Sequence, residues 1–169
     1  MLRKTKSMRK QILSTEPSPA VPPASGELDV AGIATALVSS EAVEHPIEHA
    51  FDAQRGPGGS RWVAGRDGEQ SLILKFDTPQ TIRQITLEVE ETEVSRTQEL
   101  QLAVSADNGQ TYRELVRQEF TFSPPHTGFE REEWRVDAQG VTHLRLWIKP
   151  DKSGRPCRAS LTSLALRAS

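Results

Sequence analysis

A chain of 169 residues and 18.7 kDa has room for one hydrophobic core of ordinary size, which buries roughly two-thirds of the unfolded surface, and little for a second. With one cysteine, Cys157, the sequence excludes an internal disulfide and multi-cysteine zinc sets; with 36% hydrophobic residues, no run near the ~20 apolar residues that cross a bilayer and no apolar stretch behind the basic start, neither a membrane span nor an export signal of the usual kind is expected, and the expected location is the cytoplasm. The net charge of −2 divides into +4 over residues 1–26 and −6 over 27–169, and a domain at −6 is repelled by nucleic-acid backbone, whose affinity for proteins rests on lysine and arginine.

Residues 1–26 combine Arg3, Lys4, Lys6, Arg9 and Lys10 with Pro17, Pro19, Pro22 and Pro23. Proline lacks the N–H that helix and central strand need, so this stretch is expected to be a basic, flexible tail, and the folded domain is expected over 27–169. From there the dominant period is two: Leu72/Leu74/Phe76, Ile85/Leu87/Val89, Leu100/Leu102/Val104 and Leu144/Leu146/Ile148 alternate with mostly polar partners, the pattern of strands with one buried face. The predicted strands run at about 32–40, 71–77, 82–90, 99–106, 111–120, 133–137, 142–149 and 160–167. Thr78-Pro79, Asp107-Asn108-Gly109 and Ala138-Gln139-Gly140 read as turns, Asn108-Gly109 as a two-residue hairpin turn that needs positive φ. Between Val43 and Phe51, Pro46 argues for a short turn instead of a helix.

About eight short strands without a βαβ rhythm predict an all-β antiparallel sandwich. If consecutive strands reverse, the short connections 78–81, 107–110 and 138–141 share one end, and the long connections 41–70, 91–98, 121–132 and 150–159 gather at the other. Loops grouped on a rigid scaffold are where recognition is expected.

Several segments resemble the F5/8 type C, or discoidin, domains of the galactose-binding-like β-sandwiches. They are Ser39-Ser40, Ala50-Phe51-Asp52 followed by Ser60-Arg61-Trp62, Leu72–Phe76 with Thr81–Leu87, Val104–Gly109 with Tyr112, Val141–Leu146 and the closing Leu161–Leu166. The match spans about 30–167. The resemblance implies an eight-stranded jelly-roll that binds glycans, lipid headgroups or proteins through loops at one end. The chain departs from the family in having no end-to-end disulfide, in carrying Ala53-Gln54 where Gly-Asn is usual, and in lacking a glutamate in the last strand that often helps to hold calcium. No cofactor and no tight structural calcium site are therefore expected, since calcium needs six to eight oxygen ligands.

Catalytic arrangements find little support. His45, His49 and Asp52 have a metal-like spacing, but Pro46 interrupts the helix it requires. Cys157 has no recognisable partner, and Gly56-Pro57-Gly58-Gly59 lacks the Lys-Ser/Thr and helix of a phosphate loop. Glu88 and Glu90 alternate with Leu87 and Val89 and are expected on a solvated face, unlike the paired carboxylates of glycosidases; Glu91 and Glu93 reach the following loop, where Arg96 is a partner for either. Trp62 is expected in the core, and Trp134 and Trp147 in packing or on an outer sheet face.

Sugars are held by an aromatic ring under their C–H face and by polar side chains on their hydroxyls. On the long loops, Arg61, Arg96, His126, Phe129 and Arg155 are the candidate ligand-binding residues; no catalytic or metal-ligating residue is assigned. The reading is a non-catalytic module for a carbohydrate or similar polar ligand. Its alternative is an intracellular protein-interaction or scaffolding domain, which gains if the loop tips pair with one another, as Arg96 with Glu91 or Glu93, and leave no concave surface.

Overall fold

A computed structural model describes residues 7–12 and 26–169. The strands are β1 (Lys10–Ile12), β2 (Ala34–Val38), β3 (Trp62–Val63), β4 (Gln70–Glu90), β5 (Arg96–Ser105), β6 (Arg113–Phe122), β7 (Phe129–Lys149), β8 (Ser160–Leu161) and β9 (Ser163–Arg167). Helical structure among the described residues is limited to α1 (Val30–Ile33) and a 3₁₀ turn at Ile47–Ala50 that Pro46 precedes.

The architecture rests on β4 and β7, each 21 residues long and antiparallel to the other from end to end. The expected turns at 78–81 and 138–141 are corners inside these strands and not breaks between strands. Pairing jumps from Lys75 to Gln80 and slips twice more before Gln84, so Pro79, which has no N–H to give, falls where the ladder makes no demand. At the facing corner Gly140 has φ 63°. Such slips bend strands and raise their twist, and here they carry both strands from one layer of the sandwich into the other. The larger layer holds β1, β2, the first half of β4, the second half of β7, β5 and β6. The smaller holds the remaining halves of β4 and β7 with β9.

The period-two residues meet between these layers. Leu72, Leu74, Leu100, Leu102, Leu144 and Leu146 from one side face Ile85, Leu87, Val89, Leu164 and Leu166 from the other, all at most 3% exposed. Trp62 closes one end of this core at 2% exposed, and its indole N–H donates to the Ser40 carbonyl over 3.0 Å.

Two expectations are corrected by neighbours the sequence does not reveal. Within the stretch read as a tail, residues 10–12 form β1, parallel to β2 in the register Lys10↔Ala36, Gln11↔Leu37, Ile12↔Val38, and Met8 is 1% exposed in the core. The rest of that stretch, residues 1–6 and 13–25, lies outside the described residues. Glu88, expected in solvent, is 2% exposed because the 53–59 loop lies over it: its carboxylate accepts from the Gly56 N–H at 3.0 Å and from Arg131 at 3.0 Å.

The three short links lie together. Gln80 pairs with Val141, and Asn108 N–H donates to Thr142 Oγ1 at 3.0 Å. Asn108 and Gly109 have φ 59° and 81°, the left-handed pair a primed turn requires, although the link runs from 106 to 112 and is longer than a two-residue hairpin.

Candidate functional site

Away from those corners the four long connections are bonded to each other. The Glu91 N–H donates to the Gly128 carbonyl at 2.7 Å, joining 91–95 to 123–128. The Gly58 N–H donates to Glu90 at 2.8 Å and brings the glycine-rich stretch alongside. With Gly56 on Glu88, both of these backbone donors serve the protein's own carboxylates, which explains the glycines without a phosphate. The Lys152 N–H donates to the Thr97 carbonyl at 2.7 Å and fixes the 150–159 loop.

Arg96 ties this end together. It begins β5, and its side chain is 1% exposed. Its Nε donates to Glu91 Oε1 at 2.7 Å and its Nη1 to the Pro150 carbonyl at 2.8 Å, while the guanidinium lies 4.8 Å from the centre of the Phe122 ring. Burial works against the charge on Glu91, but Arg96 and the N–H groups of Glu93 and Val94 outweigh it and hold the carboxyl below its ordinary range. Arg96 is therefore removed from the ligand contacts the sequence suggested: a guanidinium so deeply buried and so fully paired shapes the loop.

Arg155 is also a loop-setting residue, though an exposed one. Its Nε donates to Asp151 at 2.8 Å and a second nitrogen donates to the Ser95 carbonyl. His126 is exposed on the 123–128 turn, where its backbone N–H donates to the Ser123 carbonyl at 2.9 Å. Arg61 and Phe129 are half-buried and open onto concave surface.

Two depressions share Glu90, Glu91 and Thr92 as a common wall. One, of about 300 Å³, is apolar, formed by Phe129 with Pro57, Pro124, Pro125 and Gly128. The other, of about 270 Å³, is of mixed polarity, formed by Arg61, Glu93, Arg158 and Ser160 with Val94 and Cys157. Among the described residues no hydrogen-bond or ionic partner engages the Arg61 side chain, whereas Arg158 reaches only the Ala64 carbonyl at 3.5 Å. Concave surface thus remains although Arg96 and Glu91 are paired. Thr92 and Arg158 were not singled out from sequence; their position on the long loops is the signal that they share with the residues that were.

The other sequence candidates take structural places. His45 and His49 meet edge to face with centroids 6.5 Å apart, and His49 Nδ1 lies 3.2 Å from the Arg61 carbonyl. Asp52 accepts from Ser60 and from the Gln54 N–H. Burial pushes the Cys157 thiol up from its ordinary range, the wrong direction for a nucleophile. Trp147 lies on the outer face of the larger layer with its N–H on Glu69 at 3.3 Å, and Trp134 donates to Gln118 at 3.2 Å.

No family model and no curated protein matches the chain. Solved structures do. CpGH89CBM32-5 from Clostridium perfringens, in complex with GalNAc-β-1,3-galactose, is similar at 18% identity and a TM-score of 0.59, over 84% of this chain and 99% of that one. The family 32 carbohydrate-binding module (CBM) of Clostridium perfringens NanJ, in complex with galactose, is similar at 14% and 0.55 over 83% and 97%. The CBM32 of AlyQ, in complex with 4,5-unsaturated mannuronic acid, is similar at 16% and 0.55 over 85% and 98%. At these identities the likeness speaks for architecture, and with the two layers described above it makes this chain a discoidin-like β-sandwich of the galactose-binding-like fold.

Proposed function

We propose that the chain is a non-catalytic carbohydrate-binding module that takes its ligand at the long-loop end. The observation that carries this reading is the pair of adjoining depressions on loops held rigid by Arg96, one with the Phe129 ring and the other with the uncommitted Arg61 guanidinium. An aromatic surface beside an unpaired hydrogen-bond donor matches the two sides of a pyranose, its C–H face and its hydroxyl edge. Phe129 is the stacking platform, Arg61 the principal donor, and His126 stands at the rim. Arg96 and Arg155 act as positioning residues. Neighbours of the same fold that were solved with sugars support the ligand class.

The test is a glycan array on the full chain, followed by calorimetry with the strongest binder. Phe129→Ala and Arg61→Ala are each expected to weaken binding about 10- to 100-fold, equivalent to roughly 1.4–2.8 kcal/mol, with the melting temperature little changed. Asn108→Ala, at the corner end, is expected to lower stability and leave affinity alone, because alanine resists positive φ. Binding that survives both loop substitutions would move the site elsewhere, and an array without a binder would defeat the glycan reading.

A further inference from the structure

β6 closes the larger layer on the side away from β1. It pairs with β5 from Arg96↔Phe122 to Val104↔Arg113, and no described strand lies along its other side. Alternate backbone N–H and C=O groups on that side therefore point away from β5 without a ladder partner. Native edges of this kind are guarded by shortness, proline, bulges or charge. β6 is ten residues long, holds no proline, and has its one register shift at Leu115, which leaves 116–122 regular. Charge is the remaining guard, and against a second copy of the same strand it works as an attraction.

The side chains show why. Over 116–121 the period of two is strict: Arg117, Glu119 and Thr121 are exposed on the outer face, while Val116 and Phe120 pack against the core. Gln118 between them accepts from the Trp134 N–H at 3.2 Å and donates to Glu130 at 3.3 Å. Arg117 gives its Nε and Nη2 to Glu114 at 3.0 and 3.2 Å, and Glu119 Oε1 accepts from Lys152 at 2.6 Å. These pairs leave the Arg117 and Glu119 side chains 67% and 50% exposed, and among the described residues no hydrogen bond engages Arg117 Nη1 or Glu119 Oε2.

Two copies of one strand that pair antiparallel about a two-fold axis must keep outer face beside outer face, so the axis passes through a residue. Centred on Arg117 or on Glu119, the pairing sets like charges against each other. Centred on Gln118, it sets Arg117 of each copy opposite Glu119 of the other, and Val116 opposite Phe120, each twice. The outer row then alternates in sign from Glu114 and Arg117 of one copy to Glu119 and Lys152 of the second.

We propose that the β6 edge is an interaction surface for a second copy of this chain, joined antiparallel about Gln118. The six strands of each larger layer then form one continuous sheet across the pair, with main-chain hydrogen bonds holding it and the charged pairs setting its register. Because β6 runs from the corner end at Arg113 to the loop end at Phe122, the two loop ends face in opposite directions. The surface is separate from the loop-end depressions, and its test involves no sugar.

Arg117→Glu and Glu119→Arg, made separately in the full chain, provide that test. In either variant alone the axis sets like charges opposite each other twice, and self-association in sedimentation equilibrium is expected to be about tenfold weaker than in the wild-type chain. In an equimolar mixture Glu replaces Arg on one strand and Arg replaces Glu on the other, so both outer-face pairs are opposite in charge again. A mixed dimer about tenfold tighter than either variant's own is expected. Hydrogen exchange of the wild-type chain is a second readout: amides within 116–120 are expected to gain protection as concentration rises, with no change in β9. A wild-type chain that stays monomeric up to about 1 mM, a mixture no better associated than its components, or protection that rises elsewhere and not on β6, overturns the proposal.

Discussion

Replacing Arg96 with alanine strands the Glu91 carboxylate and the Pro150 carbonyl, both of which it holds while itself 1% exposed. Breaking one side of such a buried pair costs about 3 kcal/mol, expected as an earlier urea midpoint, with Arg96→Lys recovering part because it keeps the charge but loses the fork. In sequence Arg96 and Arg61 look alike, each beside a long loop; what separates them is Phe122, which comes from the neighbouring strand to lie by one guanidinium and not the other. A second residue-scale consequence comes from Glu130, 2% exposed with one carboxylate oxygen unpartnered. Burial, with Glu132 nearby, pushes its carboxyl up to about 7 from an ordinary 4.5, with Gln118 and Arg96 opposing. The folded state then holds the proton more tightly than the unfolded chain, so its stabilising contribution is whole below about pH 4.5 and is lost as pH rises through about 7. Melting temperatures between pH 4.5 and 8 are expected to fall across that window, less steeply in Glu130→Gln.

At the scale of elements, the 123–128 turn and the 91–95 loop meet so closely at Gly128 that an added Cβ would stand 2.8 Å from the Glu91 carbonyl oxygen. Gly128→Ala is therefore expected to push the two loops apart at the wall the depressions share. The measurable result is a larger loss of ligand affinity than of melting temperature, and equal losses would mean that the loop junction serves stability alone. The strands on either side were legible, since apolar residues alternate with polar ones in sequence along the halves of β4 and β7, although Thr86 and Glu88 among the polar ones are buried. Their continuity was not, because Pro79 and Gly140 mark a corner inside a strand with the same residues that mark a turn between strands. The loop end was legible as a count of connection lengths, but which side chains open onto it was not, for loops have no period from which burial can be read. Nor was β1, whose Lys10–Ile12 is too short for alternation and is fixed by Asp77, Glu41 and Glu48 far along the chain.

For the whole molecule, the division of labour between ends follows from β4 and β7, which contribute one half to each layer and meet along their full length. Their corners close one end with short links and leave the other to four connections that can differ in length and content without disturbing the core. The same two strands leave the layers no separate existence. Opening the smaller layer removes Ile85, Leu87 and Val89 from the face of Leu72, Leu74 and Leu146 and frays the backbone that the larger layer also uses. Native-state hydrogen exchange in low denaturant is expected to show this as a single slowest class of amides, with Leu74 and Leu146 exchanging at the same free energy as Leu87 and Leu164, and with no partly open form in which one layer persists without the other.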